Sequence, residues 1–386
     1  MFNSTYYSLS DHMKYFISTL FTALLFLCNI NGQTNKKVSL LFAGDAMQHK
    51  SQLDAAKTKD GYDYSKYFAQ IKPQIDSVDI AIVNFETTLP GRAYTGYPSF
   101  GSPDAFAYAL KDAGFNIFLT ANNHSLDKGK KGVERTIMML DSMQVRHLGT
   151  YADKEKRDLL YPMVVVKNGI RIGLLNYTYD TNGIEVQSPN IVNYTDKKQI
   201  LTDINTLKRM QPDIIIANMH WGYEYKLKHN AEQKSLADFL IKNGVRLVIG
   251  SHPHVVQPID IRQKGDSIEN IIVYSLGNLI SGMKAVNTDG GMMVKIEISK
   301  DNNNQIHINN CTYSLVWVYK PLEDGKTQFQ LLPVEEYENA EGEEKLGKTN
   351  YLRMATFAKT ARKAIESLWI KSEPTILQTD SLSAKN

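Results

Sequence analysis

At 386 residues, 42% of them hydrophobic and 22% charged, the chain carries enough apolar material for one large domain or two modest ones, and its composition is not that of a disordered or fibrous protein. A net charge of +3, with no basic stripe interleaved with aromatics, gives no ground for a nucleic-acid partner. Of the two cysteines, Cys28 lies in an N-terminal apolar run, so a processed chain keeps only Cys311, has no intrachain disulfide and must rest on its core.

That apolar run, Tyr15 to Cys28 (YFISTLFTALLFLC), follows Lys14 and has the length of a signal-peptide core, short of a membrane span. The expectation is a signal peptide over 1–32, cleaved near Gly32, and export to the periplasm or cell envelope. Met13 is an alternative start to Met1. A lipid on Cys28 and an uncleaved anchor are the rival readings, although Leu27 stands where lipidation asks for a small residue.

From Lys37 onward, short β-branched runs alternate with helical patterns, which predicts an α/β sheet. VSLLFA (38–43), VDIAIVN (78–84), FNIFLTAN (115–122), PDIIIANMH (212–220) and VRLVIGS (245–251) are predicted strands. PDAFAYALKDAG (103–114), GVERTIMMLDSM (132–143) and AEQKSLADFLIKNG (231–244) are predicted amphipathic helices, two of them closed by a glycine. Beyond Tyr161 the pattern turns to hairpins: YPMVVVKNGIRIGLLNY holds an Asn-Gly turn, and IDIRQKGDSIENIIVYSL repeats the form. Further strands follow Thr288, then a charged helix over 351–368. The expected divisions are a main domain over 33–300, C-terminal strands and a helix packed on it over 301–372, and a disordered tail over 373–386.

Parallel sheets place their chemistry at the C-terminal ends of strands, where loops converge on one crevice. Here those ends read Gly44-Asp45, Asn84-Phe85-Glu86, Asn122-Asn123-His124, His220-Trp221-Gly222 with Glu224 close behind, Gly250-Ser251-His252-Pro253-His254, and Ser275-Leu276-Gly277-Asn278. A single Asp, Asn or His after a strand usually caps a helix or makes a turn. Together, however, they form an oxygen and nitrogen donor set without a thiolate, the list that suits a pair of Mn, Fe, Zn or Mg ions. His252 and His254, two apart on what reads as extended chain, are expected to face the same way and bind metal. His124 is the expected general acid. Asp127 is expected to cap the helix that follows. The 21 tyrosines suit a surface that handles sugars or polar polymers.

These residues carry a resemblance. FAGDAM, VNFETTL, ANNHSLDKG, NMHWGYEY, GSHPHVVQP and YSLGNL, in this order between about Val38 and Met293, resemble the CapA family of bacterial capsule and poly-γ-glutamate synthesis proteins, itself similar to the calcineurin-like metallophosphoesterases. The resemblance implies a four-layer αββα sandwich with a C-terminal β extension and helix, and a dinuclear divalent-metal site. It implies Asp45, Glu86, Asn123, His220, His252 and His254 as ligands and His124 as the catalytic histidine. His49, Asn84, Glu224 and Asn278 are left to orient ligands or touch substrate. It also implies one departure: Met47 stands where metallophosphoesterases have a histidine ligand, and His49, two residues on, is the candidate replacement.

The implied activity is hydrolysis of a phosphoester or of a γ-glutamyl amide in an anionic capsule polymer. The alternative is a non-catalytic accessory of a membrane-bound synthase or export complex. No nucleotide is expected. GEEKLGKT (342–349) matches a phosphate-loop pattern letter for letter, but no buried strand leads into it. The Gly- and Tyr-rich stretch from Pro90 to Pro103 is a candidate polymer-facing loop.

Overall fold

The computed structural model describes residues 36–323 and 325–368, so the expected signal segment and tail lie outside the described residues. Parallel strands Arg146–Leu148, Ile117–Leu119, Ile80–Phe85 and Lys36–Ala46 lie side by side, followed by the antiparallel strands Gly290–Lys300, Ile306–Tyr319 and Gln330–Pro333. A second set runs Ser267–Val273, Leu247–Ser251, Ile214–His220 and Ile170–Thr178 in parallel, with antiparallel Ile259–Lys264 and Met163–Lys167 at its edges. One residue pair, Ile268 with Ile308, joins the two sets, so the hydrogen-bonded path is continuous but folds back on itself.

Side-chain alternation shows the layering. Val38, Leu40, Phe42 and Ile82 share one core with Ile172, Leu174, Ile214 and Ile216 of the second set. Their neighbours Leu41, Ala43, Ala81 and Val83 face the other way, onto Phe106, Leu110 and Leu140 of helices Asp104–Asp112 and Gly129–Ser142. On the far side of the second set, Gly173 leaves room for Leu207, whose side chain a Cβ there would meet at 2.7 Å, so helix Lys197–Arg209 packs close. The result is the expected α/β sandwich of helices, sheet, sheet and helices.

The predicted strands and the three predicted helices form. The Asn-Gly turn has both residues left-handed, Asn168 at φ 49° and Gly169 at φ 75°, as a tight hairpin requires. Helix Ala231–Lys242 is opened by Asn230, whose side chain accepts from Gln233 N. Not foreseen were the short helices Lys50–Ala56, Lys72–Asp76 and Lys154–Leu160, and the long Lys197–Arg209, capped by Asp196. GEEKLGKT is the end of a helix (Ala340–Leu346), a left-handed Gly347 and the start of the next helix, with no strand leading in. That final helix, Lys348–Glu366, seals the sandwich edge with Met354, Phe357 and Ile365. No helix among the described residues is long and apolar enough to cross a membrane.

Candidate metal centre

Both strand sets deliver their C-terminal ends to one place. Asp45 closes the Lys36–Ala46 strand, Glu86 follows Ile80–Phe85, and Asn123-His124 follow Ile117–Leu119. His220 ends Ile214–His220, and His252 and His254 follow Leu247–Ser251. Gly44 is required at the approach: a Cβ there would come within 1.9 Å of the Gly277 carbonyl oxygen, beside the Asp45–Asn278 strand pairing.

All the expected ligands are buried, Asp45 and Glu86 with no exposure at all. The Asn84 amide nitrogen faces Asp45 Oδ1 at 2.8 Å, Glu86 Oε2 at 3.2 Å and His220 Nδ1 at 3.2 Å. It has two hydrogens for three acceptors. His254 Nδ1 donates between Asp45 Oδ2 (3.0 Å) and Asn278 Oδ1 (3.1 Å), and His220 Nε2 donates to Asn123 Oδ1 at 2.8 Å. Glu86 Oε1 and His252 Nδ1 are buried with no hydrogen-bond partner. Donor atoms of Glu86, His252 and His254, and again of Asp45, Glu86 and His220, lie within 4.8 Å of one another, so two triads share Glu86. The cluster holds more lone pairs than protons to meet them, and a cation answers that surplus.

The electrostatics set two neutral imidazoles, His220 and His252, and one that favours its charged form, His254, around a crowded pair of acids. Burial, and then the charge of neighbouring His254, push His252 down to about 3; burial pushes His220 well below its usual range. Burial opposes charge on His254, but the Asp45 carboxylate overcomes it and holds His254 above its ordinary value. For Asp45 burial likewise works upward, and the His254 contact wins and lowers it. Burial and the adjacent Asp45 raise Glu86 well above the carboxylate range.

Three expectations need correction. His252 and His254 do not sit on extended chain: both backbones are left-handed, at φ 99° and 59°, conformations costly for a residue with a Cβ. The turn, not strand alternation, brings the rings to centroids 5.8 Å apart. Asp127 is not a helix cap. Its Oδ2 accepts from His124 Nδ1 at 2.8 Å and from Phe100 N at 2.5 Å, and the helix begins after Lys128 without a side-chain cap. His49 does not join either triad; its Nδ1 accepts from Gly282 N at 3.1 Å, its ring lies edge-on to Phe100, and burial pushes it down to about 4. Met47 is buried nearby.

Asn84, Asn278 and Glu224 lie around the candidate ligands. Asn84 and Asn278 bond to them directly, and half-buried Glu224 brings Oε1 to 4.0 Å from His254 Nε2. The 90–103 loop folds over the site, setting buried Phe100 at 4.6 Å, edge-on, from the His124 ring. Besides His49, sequence reasoning gave Asp127 another role, because an acid just before a helix reads locally as a cap.

The site is thus a buried oxygen–nitrogen cluster at the converging strand ends of an α/β sandwich, with two residue groups that could hold a metal ion. Residues 39–283 match the model of the bacterial capsule synthesis protein family PGA_cap, and the chain belongs to that family. It is 26% identical over 294 residues to the capsule biosynthesis protein CapA of Bacillus anthracis, covering 72% of this chain and 67% of that one. It is 24% identical over 286 residues to the PGA biosynthesis protein CapA of Bacillus subtilis (strain 168), covering 70% of each. A solved NAD nucleotidase of Haemophilus influenzae overlays with a TM-score of 0.46 at 12% identity, over 85% of this chain and 63% of that one. The architecture rests on the strand pairing above.

Proposed function

We propose that the chain is a divalent-metal-dependent hydrolase acting in capsule polymer synthesis, on a phosphoester first and on a γ-glutamyl amide second. The observation that carries this reading is the lone-pair surplus at the two triads sharing Glu86, with Glu86 Oε1 and His252 Nδ1 unmatched. Asp45, Glu86, Asn123, His220, His252 and His254 would hold the ions, two in number, with Mn, Fe or Zn suited to this donor set. Ions bound there supply Lewis acidity and a water acidified toward neutrality.

The chain's own residues do the rest. An ionised carboxylate only accepts, so Asp127 fixes the proton of His124 on Nδ1 and leaves Nε2 to pass a proton to the departing oxygen or nitrogen. Phe100 N holds that carboxylate in place, and the buried Phe100 ring keeps water off one side of His124. The Asn123 side chain stands beside His220, where it serves the developing negative charge. The apolar run at 15–28 and Lys14 support export to the periplasm or cell envelope.

A second reading is favoured by Met47. A thioether is a poor ligand for a hard ion, and His49 is engaged with Gly282, so one ion site lacks an imidazole. The protein then serves a membrane synthase as an accessory that binds polymer. One experiment separates the two: metal per chain by plasma mass spectrometry after loading with Mn²⁺ or Zn²⁺, beside His252→Ala/His254→Ala. Two ions per chain, lost in the variant, together with phosphoester turnover support the hydrolase. Failure to hold any ion overturns it.

A further inference from the structure

A cleft of about 350 Å³ shares His252 and Glu224 with the candidate metal centre and extends away from it. That volume is at the small end of the ~300–1,000 Å³ typical of ligand sites. Its walls include Tyr179, Trp221, Tyr223, Glu224 and Glu232. The Tyr179 ring packs 4.6 Å from the His252 ring, so the cleft opens directly onto the candidate metal centre. Two of its rings are not core residues: Tyr179 is 42% exposed and Tyr223 58%. The chain makes this exposure on purpose. Gly222, at φ 91°, turns the backbone so that Trp221 is buried, its indole N–H donating to the Tyr274 carbonyl at 2.9 Å, while Tyr223 stands out at the rim. A Cβ at Gly222 would also meet the Gln233 amide at 2.7 Å.

The charge at the cleft is of one sign. Among its described lining residues are two carboxylates and no lysine or arginine. A γ-glutamyl chain, with a carboxylate on every unit, would meet like charge there, a juxtaposition that disfavours binding. A neutral ring bearing hydroxyl groups meets what it needs: aromatic faces for its C–H surface and carboxylate oxygens for its O–H donors. We infer that this cleft seats a neutral sugar unit, so that the substrate of the adjacent centre is, of the two proposed, the phosphoester, and one that bears a sugar. The substrate assignment rests on the hydrolase reading; the sugar site itself does not.

The test therefore reads binding, on the metal-free full chain. Saturation-transfer NMR is recorded separately with methyl glycosides of glucose, galactose, N-acetylglucosamine and rhamnose, with adenosine, and with a γ-glutamyl trimer. At least one glycoside is expected to bind, at least tenfold more weakly in both Tyr179→Ala and Tyr223→Ala and with little change in Tyr223→Phe. Because Tyr223 is exposed, its truncation leaves no hole in the core. Absence of glycoside binding, binding indifferent to both alanine variants, or preference for adenosine or the γ-glutamyl trimer each overturns the inference. Metal content is measured on a parallel sample loaded with Mn²⁺ or Zn²⁺, so failure to hold metal there, with sugar binding intact, sinks only the hydrolase reading.

Discussion

Replacing Glu86 by Gln tests whether the shared carboxylate is there for cations. In the metal-free chain this acid is wholly out of water, next to Asp45, with one oxygen unpartnered. An ionised carboxylate so placed costs several kcal/mol, and relief by a neutral isostere is worth about 1–3 kcal/mol. The melting entropy of a folded body of this size is ~0.7 kcal/mol per kelvin, so the metal-free variant melts about 2–4 °C higher than wild type. The pH dependence has a definite sign. Glu86 has its folded-state value raised, so its stabilising contribution is complete below the ordinary value of 4.5 and is lost as pH rises. The gap in melting temperature therefore widens from about pH 5 to about pH 8. Metal narrows or closes the gap. At a hundredfold excess over Kd, an ion bound only by the folded state adds about 2.7 kcal/mol. Scanning fluorimetry with Mn²⁺ should then raise the wild type by about 4 °C and the variant by under about 1 °C. A variant that melts lower without metal, yet keeps the full Mn²⁺ shift, refutes the reasoning.

The Asp127→Asn variant, which keeps shape but no longer holds the His124 proton on Nδ1, should lose about 10²-fold or more in kcat with metal content unchanged; steady-state kinetics beside metal analysis decides it. Arg157 is buried between Asp203 Oδ2 (2.7 Å) and Asn193 Oδ1 (2.8 Å), with the Tyr177 hydroxyl also donating to Asp203. Arg157→Ala strands that carboxylate and should cost about 3–5 kcal/mol by urea unfolding, less when combined with Asp203→Leu. Cys311 is buried and its thiol is pushed up to about 12 by burial, so alkylation at pH near 8 followed by peptide mapping should find it unmodified when folded and modified in urea.

The contrast between what the sequence disclosed and what it hid has a physical basis. Strands with both faces buried are written as unbroken apolar runs, so their ends, and the polar residues just past them, could be read directly: Asp45, Glu86, Asn123, His220 and His254 were all found this way. The sandwich was reachable only through the family resemblance, since Val38 to Ala43 is an apolar run whose sorting between two cores shows only in the fold. Helix Lys197–Arg209 was overlooked although Asp196 and the buried Ile200, Ile204 and Leu207 mark it; its many lysines and threonines diluted the pattern. Asp127 was hidden more deeply. Locally, an acid before a helix is a cap, and only the tertiary fold brings Phe100 N to its carboxylate and turns it toward His124. The left-handed backbones of His252 and His254 had no local signal at all, since neither is glycine or asparagine. Such strain persists only when surrounding contacts over-determine it. Here those contacts are the ones His254 makes with Asp45 and Asn278, and the Pro253 carbonyl accepting from Tyr225 N at 2.8 Å. The tyrosine cleft follows the same logic: residues 179, 221–224 and 232 mean nothing together until the turn that presents His252 also gives the cleft its edge.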